Sequence, residues 1–195
     1  MLLEKPVVAL QEGCRVVLET ERLVLRRPTL ADVKAIARLA NDRRIAQNTA
    51  RIPHPYAVSD AEAFVNLVAE QPQDTNFLIT REGEVLGGVG IDLKPAAPEI
   101  GYWLGVPFWG QGYATEAARA VIDYAFEEFG SAELRAGARV VNTASRRVLE
   151  KCGFQWTNVE LRKVLSLGGS VPTDRFRLDR GVWSSLKSWR DAVRH

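Results

Sequence analysis

The segment Glu99-Ile-Gly-Tyr-Trp-Leu-Gly-Val-Pro-Phe-Trp-Gly-Gln-Gly-Tyr-Ala-Thr-Glu-Ala117 holds the residues best suited to chemistry. It reads as a strand, a tight loop around Gly110 and Gly112, and the start of a helix whose apolar face runs through Ala117, Val121, Ala125 and Phe129. With few side chains in the loop, backbone N–H groups can converge on one point. That point lies at a helix N-terminus, where unpaired N–H groups and the helix dipole favour an anion. The expected chemistry is a diphosphate cradle. A nucleotide P-loop would close with Gly-Lys-Ser/Thr, but Tyr113 follows Gly112. A dinucleotide fingerprint needs a third glycine where Thr115 stands.

The elements that must hold this loop follow from periodicity and punctuation. Leu18 to Arg26 predicts a strand. Thr29-Leu-Ala-Asp32 resembles a capping box and opens a helix with Val33, Ile36, Ala37 and Ala40 on one face. Two prolines force Arg51-Ile-Pro-His-Pro-Tyr56 into a loop. Ser59-Asp-Ala-Glu62 predicts the next helix start. Asn76 to Thr80 and Val85 to Asp92 form a hairpin around Arg81-Glu-Gly-Glu84, and Glu99 to Leu104 is the strand before the loop.

Gly130 ends the long helix. Leu134 to Val140 alternates as a strand, and Asn142 starts a short helix that stops at Gly153. Strands near Val159–Leu165 and Val171–Leu178 flank the Leu167-Gly-Gly-Ser170 turn. Val182, Leu186, Trp189 and Val193 mark a terminal amphipathic helix. The order β-α-α-β-β-β-α-β-α-β-β describes an α/β (α+β) fold, a mixed sheet covered by helices.

Bulk properties narrow the classes. A chain of 195 residues fits one domain with a good core, and a net charge of +2 is too small for a nucleic-acid footprint. No apolar run approaches the ~20 residues that span a bilayer. Two distant cysteines, Cys14 and Cys152, build neither a disulfide framework nor a metal cluster. The expectation is a cytoplasmic chain with no metal, nucleic-acid or membrane partner.

A second segment, Asn142-Thr-Ala-Ser-Arg-Arg-Val-Leu-Glu-Lys-Cys-Gly-Phe154, adds to the first. Together with Leu-Glu-Thr-Glu-Arg-Leu-Val-Leu-Arg26, they resemble the GCN5-related N-acetyltransferase (GNAT) superfamily, closest to its RimJ/RimL-like branch, over about Leu18 to Leu178. The resemblance implies a mostly antiparallel sheet of about seven strands with the fourth and fifth splayed, here Glu99–Leu104 and Leu134–Val140. It implies residues 1–17 as an extension and 18–195 as one acetyltransferase domain including the C-terminal helix. It implies acetyl-CoA as co-substrate and direct attack by a primary amine in a ternary complex. The acceptor would be a protein N-terminus; a small amine, or a non-catalytic acyl-CoA-binding role, is the alternative. A homodimer is a further expectation.

On that resemblance, Trp103, Leu104 and Val106 would bind the pantetheine arm through backbone groups, with one N–H polarising the thioester carbonyl. Gln111, Gly112, Tyr113, Ala114 and Thr115 would hold the pyrophosphate. Asn142 would contact the arm or cap its helix, and Ser145 would steady the leaving thiolate. Many members carry a tyrosine acid where this chain has Leu149. Glu99 is the first candidate for general base and Glu116 a weaker one, since acids are ordinary in a helix's first turn. His54 and Tyr56 would face the acceptor. Arg146 and Arg147 read either as phosphate contacts or as a solvated face, and Cys152 as buried core.

Overall fold

A computed structural model describes residues 15–93 and 97–193. Its eight strands form one sheet in the order β1-β2-β3-β4-β5-β6-β8-β7. The first predicted strand is two: β1 (Leu18–Glu19) and β2 (Val24–Arg26) are joined by a turn closed by Thr20 N–H to Leu23 O at 2.9 Å. This break makes eight strands of the expected seven. The splayed pair is therefore β5 (Glu99–Leu104) and β6 (Glu133–Arg139). Of the expected extension, residues 1–14 lie outside the described residues. Val16 is tied to the body, its N–H donating to Asp74 Oδ2 at 2.9 Å.

β3 (Asn76–Arg81) and β4 (Glu84–Asp92) turn through Glu82 and Gly83, both at positive φ (51° and 83°), as a tight hairpin requires. β4 pairs antiparallel with β5 along its length, from Gly87 opposite Leu104 to Asp92 opposite Glu99. β5 and β6 are parallel and share only Glu99–Arg135 and Ile100–Ala136. Past those residues the two strands part. β6 then pairs with β8 (Gly169–Asp179), which pairs with the edge strand β7 (Gln155–Val164). The last two strands run longer than periodicity indicates, because pairing extends them into polar sequence.

Helices cover both faces. α1 (Val33–Ala40) and α3 (Val58–Glu70) bury Val33, Ile36, Leu39, Ala61 and Val65 against Leu78 and Val85. The start of α3 is set by Asp60, which accepts the Ala57 N–H at 2.7 Å, rather than by the predicted Ser59–Glu62 pair. A short α2 (Arg43–Ala46), capped by Asp42, had no periodic signal. On the opposite face α4 (Tyr113–Glu128), α5 (Thr143–Lys151) and α6 (Arg180–Val193) enclose the larger core, including Val121, Phe126, Leu134, Leu149, Phe176 and Leu178. Trp183 closes it, stacked on Phe126 with ring centres 4.8 Å apart, while Trp189 stays exposed.

Candidate functional site

The glycine loop has the geometry its composition predicts. Gly110 and Gly112 sit at φ 77° and 83°, in the left-handed region where a Cβ is penalised. A Cβ on Gly110 would meet nothing within 4 Å. The first bond of α4 runs from Glu116 N–H to Gly112 O at 3.1 Å, so the N–H groups of Tyr113, Ala114 and Thr115 precede the helical ladder. The Tyr113 ring turns inward and is buried, with the Arg22 guanidinium 4.7 Å and that of Arg81 6.0 Å from its centre. Arg81 also donates to the Tyr113 hydroxyl. Arg22 donates to Gln111 O at 3.1 Å, and its Nη2 lies 3.3 Å from where a Gly112 Cβ would stand. Arg22, which is also paired with Glu116, therefore borders the glycine loop, while Arg81 sits at the hydroxyl end of the buried Tyr113 ring. Sequence reading missed both, because Arg22 and Arg81 are distant in the chain from the loop they adjoin.

The gap between β5 and β6 leads to this cradle. Gly105 N–H bonds to Leu86 O on the β4 side, and Pro98 O accepts from Arg135 N–H on the β6 side. Strand alternation then turns the N–H groups of Tyr102 and Leu104 toward the gap. The Leu104 carbonyl accepts the Trp109 indole N–H at 2.8 Å, and a 3-10 turn follows at Val106–Phe108. The Trp103 indole lies over Gly88, where a Cβ would come within 2.8 Å of Nε1. Gly101, next to it on the same face, is exposed, and a Cβ there would meet nothing within 4 Å.

Across the gap, Asn142 Oδ1 accepts the Ser145 N–H at 3.1 Å and so caps α5. The Ser145 hydroxyl is 2.9 Å from the Tyr102 hydroxyl. Leu149, one turn further on, is 1% exposed and faces the core. Arg146 points to Asp174 at 3.3 Å.

On the face that carries Gly101, Glu99 is held by two arginines. Arg162 Nη1 donates to both carboxylate oxygens at 2.6 and 2.8 Å, and Arg175 adds bonds at 3.1 and 2.8 Å. Glu160 braces Arg175 from the other side at 2.8 Å. Burial alone would raise the Glu99 pKa, but the Arg175 and Arg162 hydrogen bonds and charges outweigh it and hold the carboxyl below its ordinary value. Arg51 bonds to Asp92, the residue opposite Glu99, and Arg139 donates to Gln47 O at 2.8 Å. Ser166 donates to Ala46 O at 2.8 Å, which closes the β7–β8 turn over α2.

The acetyltransferase (GNAT) domain family matches residues 22–155, well over half of the chain. The chain belongs to the GNAT family of N-acetyltransferases. It is 32% identical over 181 residues to the uncharacterized N-acetyltransferase YoaA of Bacillus subtilis, covering 88% of this chain and 97% of that one. Among solved structures, its fold is similar to Mycobacterium smegmatis RimJ in complex with a CoA disulfide (TM-score 0.71, 23% identity, 82% of each chain). It is also similar to the ribosomal alpha-N-protein acetyltransferase RimL in complex with coenzyme A (TM-score 0.71, 20% identity, 82% of this chain and 95% of that one).

Within this GNAT fold, the sequence-predicted residues divide. Gln111, Gly112, Tyr113, Ala114 and Thr115 form the glycine loop and the first turn of α4, Leu104 ends β5, and Asn142 and Ser145 stand together at the start of α5, where Ser145 meets Tyr102 of β5. Trp103 packs on the sheet among Phe108 and Tyr56. His54 is exposed, whereas Tyr56 is half-buried against the α1–α3 cluster, its N–H held by Asn41. Burial and the Asp60 charge push the Tyr56 phenol up to about 12.

Neither acid has the geometry of a general base. Glu99 has both oxygens filled by guanidinium donors. Glu116 accepts from the Thr20 hydroxyl (2.6 Å), the Arg22 N–H (2.8 Å) and Arg22 Nε (2.7 Å), so it ties the β1–β2 turn to α4. Arg162 on β7 supplies one of the two guanidinium groups. Alternation along β7 puts Glu160 and Arg162 on the Glu99 face, a signal readable only once β7 is known to lie beside β8.

Proposed function

We propose that this GNAT chain transfers an acetyl group from acetyl-CoA to the free amine of a protein or peptide N-terminus by direct attack. The observation that carries it is the parting of β5 and β6 after two residue pairs, with free N–H groups along the gap and the glycine cradle at its end. The residues fit the co-substrate. The bare loop at Gly110 and Gly112 admits a diphosphate against backbone N–H groups, with Arg22 alongside. The extended pantetheine arm fits the gap as an added strand. Bound acetyl-CoA supplies an activated acyl group on a good thiol leaving group.

Leu104 or Tyr102 N–H donates to the thioester oxygen and stabilises the charge that forms there. Ser145 donates to the sulfur as the C–S bond breaks. The amine enters over Gly101, from the face bordered by Glu99, Trp103 and the His54–Tyr56 loop. Glu99 acts there by anchoring Arg162 and Arg175, so the amine proton leaves to water.

The N-terminal acceptor is favoured over a polycationic small amine by charge. A polyamine or aminoglycoside calls for free carboxylates, but Glu99 and Asp92 are both engaged by arginines on this face. RimL, whose fold this chain shares, is named an alpha-N-protein acetyltransferase, which points the same way. The test is CoA-thiol release with N-terminal peptides set against amino acids, polyamines and aminoglycosides. Release with peptides supports the proposal, and release confined to one small amine overturns the acceptor assignment.

A further inference from the structure

Leu149 on α5 is buried in the core and has no proton to donate. A tyrosine nevertheless reaches α5 from the sheet. Tyr102 projects from β5 on the α5 side, and its hydroxyl lies 2.9 Å from Ser145 Oγ and 3.1 Å from Ser145 O. We infer that Tyr102 is the positioning residue for Ser145, directing the serine proton into the β5–β6 gap where the thioester sulfur must lie. This rests on the acetyltransferase reading above.

The hydrogen-bond inventory of the pair explains how. A phenol has one proton to give, and two acceptors stand within reach. With that proton on the Ser145 carbonyl, the 2.9 Å contact is kept by the serine hydroxyl donating inward to the phenol oxygen. With the proton on Ser145 Oγ, the serine proton is released toward the gap. Without Tyr102, a helical serine turns its hydroxyl back to the carbonyl three or four residues earlier, here Asn142 or Val141, and is lost to the reaction. In the acyl-transfer step, the C–S bond breaks and its electron pair goes to sulfur. Ser145 O–H donates a hydrogen bond to that sulfur, and Tyr102 O–H donates to Ser145 Oγ. No proton leaves Tyr102. Burial holds its phenol well above the ordinary tyrosine value even though the Ser145 bond pulls the other way. The thiolate takes its proton from solvent as it departs.

The assay follows CoA release to water, which needs no particular amine, and then release with the best peptide. Tyr102→Phe removes one oxygen and keeps the ring. The expected result is about a tenfold lower kcat, with the acetyl-CoA KM within twofold of the native value. Ser145→Ala should lose about as much, and the double variant should be no slower than Ser145→Ala alone, because the two hydroxyls act as one unit. Native kcat in Tyr102→Phe, or a double variant that loses the product of the two single effects, overturns the inference. An effect of Tyr102→Phe in a chain where Ser145→Ala is silent also overturns it, since Tyr102 would then not act through Ser145. A native chain that binds acetyl-CoA but releases no CoA overturns the acetyltransferase reading and this inference with it. Turnover by the native chain with a fully active Tyr102→Phe overturns this inference alone.

Discussion

Gly112→Asp is the sharpest test of the cradle. Gly112 is the residue before α4, at φ 83° and ψ −5°, so any side chain there carries left-handed strain of roughly 1 kcal/mol, somewhat less for Asp than for a branched residue. The new Cβ would stand 3.3 Å from Arg22 Nη2, ordinary room once the flexible guanidinium shifts by a few tenths of an ångström. Folding should therefore survive. The carboxylate would stand in the anion site. Two unit charges about 6 Å apart repel by roughly 3 kcal/mol at an effective dielectric of about 20, and a diphosphate presents about two charges. The new acid would also pair with Arg22 and cancel part of its attraction. An affinity loss of about 100-fold or more is expected in titration calorimetry, easing as salt is added. Gly112→Ala is the control, with the same backbone strain, no charge, and an expected loss below tenfold. Acetyl-CoA affinity within threefold of native in folded Gly112→Asp would refute both the cradle and the charge argument.

Three further outcomes follow from the packing. The Glu99 pKa is depressed in the folded chain, so the clamp adds stability above the unfolded carboxyl value near 4.3 and loses it as pH falls through the folded one; native protein should lose more stability below pH ~4 than Glu99→Gln, measured by denaturant melts across pH 3–7. Glu99→Ala should cost about 1–3 kcal/mol, because the partly buried Arg175 loses its Glu99 bonds and keeps only Glu160, and a cost below about 0.5 kcal/mol would contradict the clamp. Trp183→Ala strips the stacked cover from Phe126 and should cost about 3–5 kcal/mol in the same melts, while Trp189→Ala should cost under 0.5 kcal/mol.

Local chemistry is what the sequence determined. The Gly110–Gly112 loop, the helix after it, the Asn142 cap and the alternating strands each depend on neighbours within a few positions, and periodicity and backbone preference express such dependence directly. The family resemblance carried the splayed pair. Tertiary structure decided which charged groups remain free. Glu99 looked like a base in a strand of its own, but Arg162 and Arg175 reach it from 63 and 76 positions away. Glu116 is taken up by Thr20 and Arg22, and Tyr102 on β5 meets Ser145 on α5 across 43 positions of sequence. An ionisable side chain's role depends on what lies within about 4 Å of it, and pairing of distant strands, not local sequence, brings those partners together.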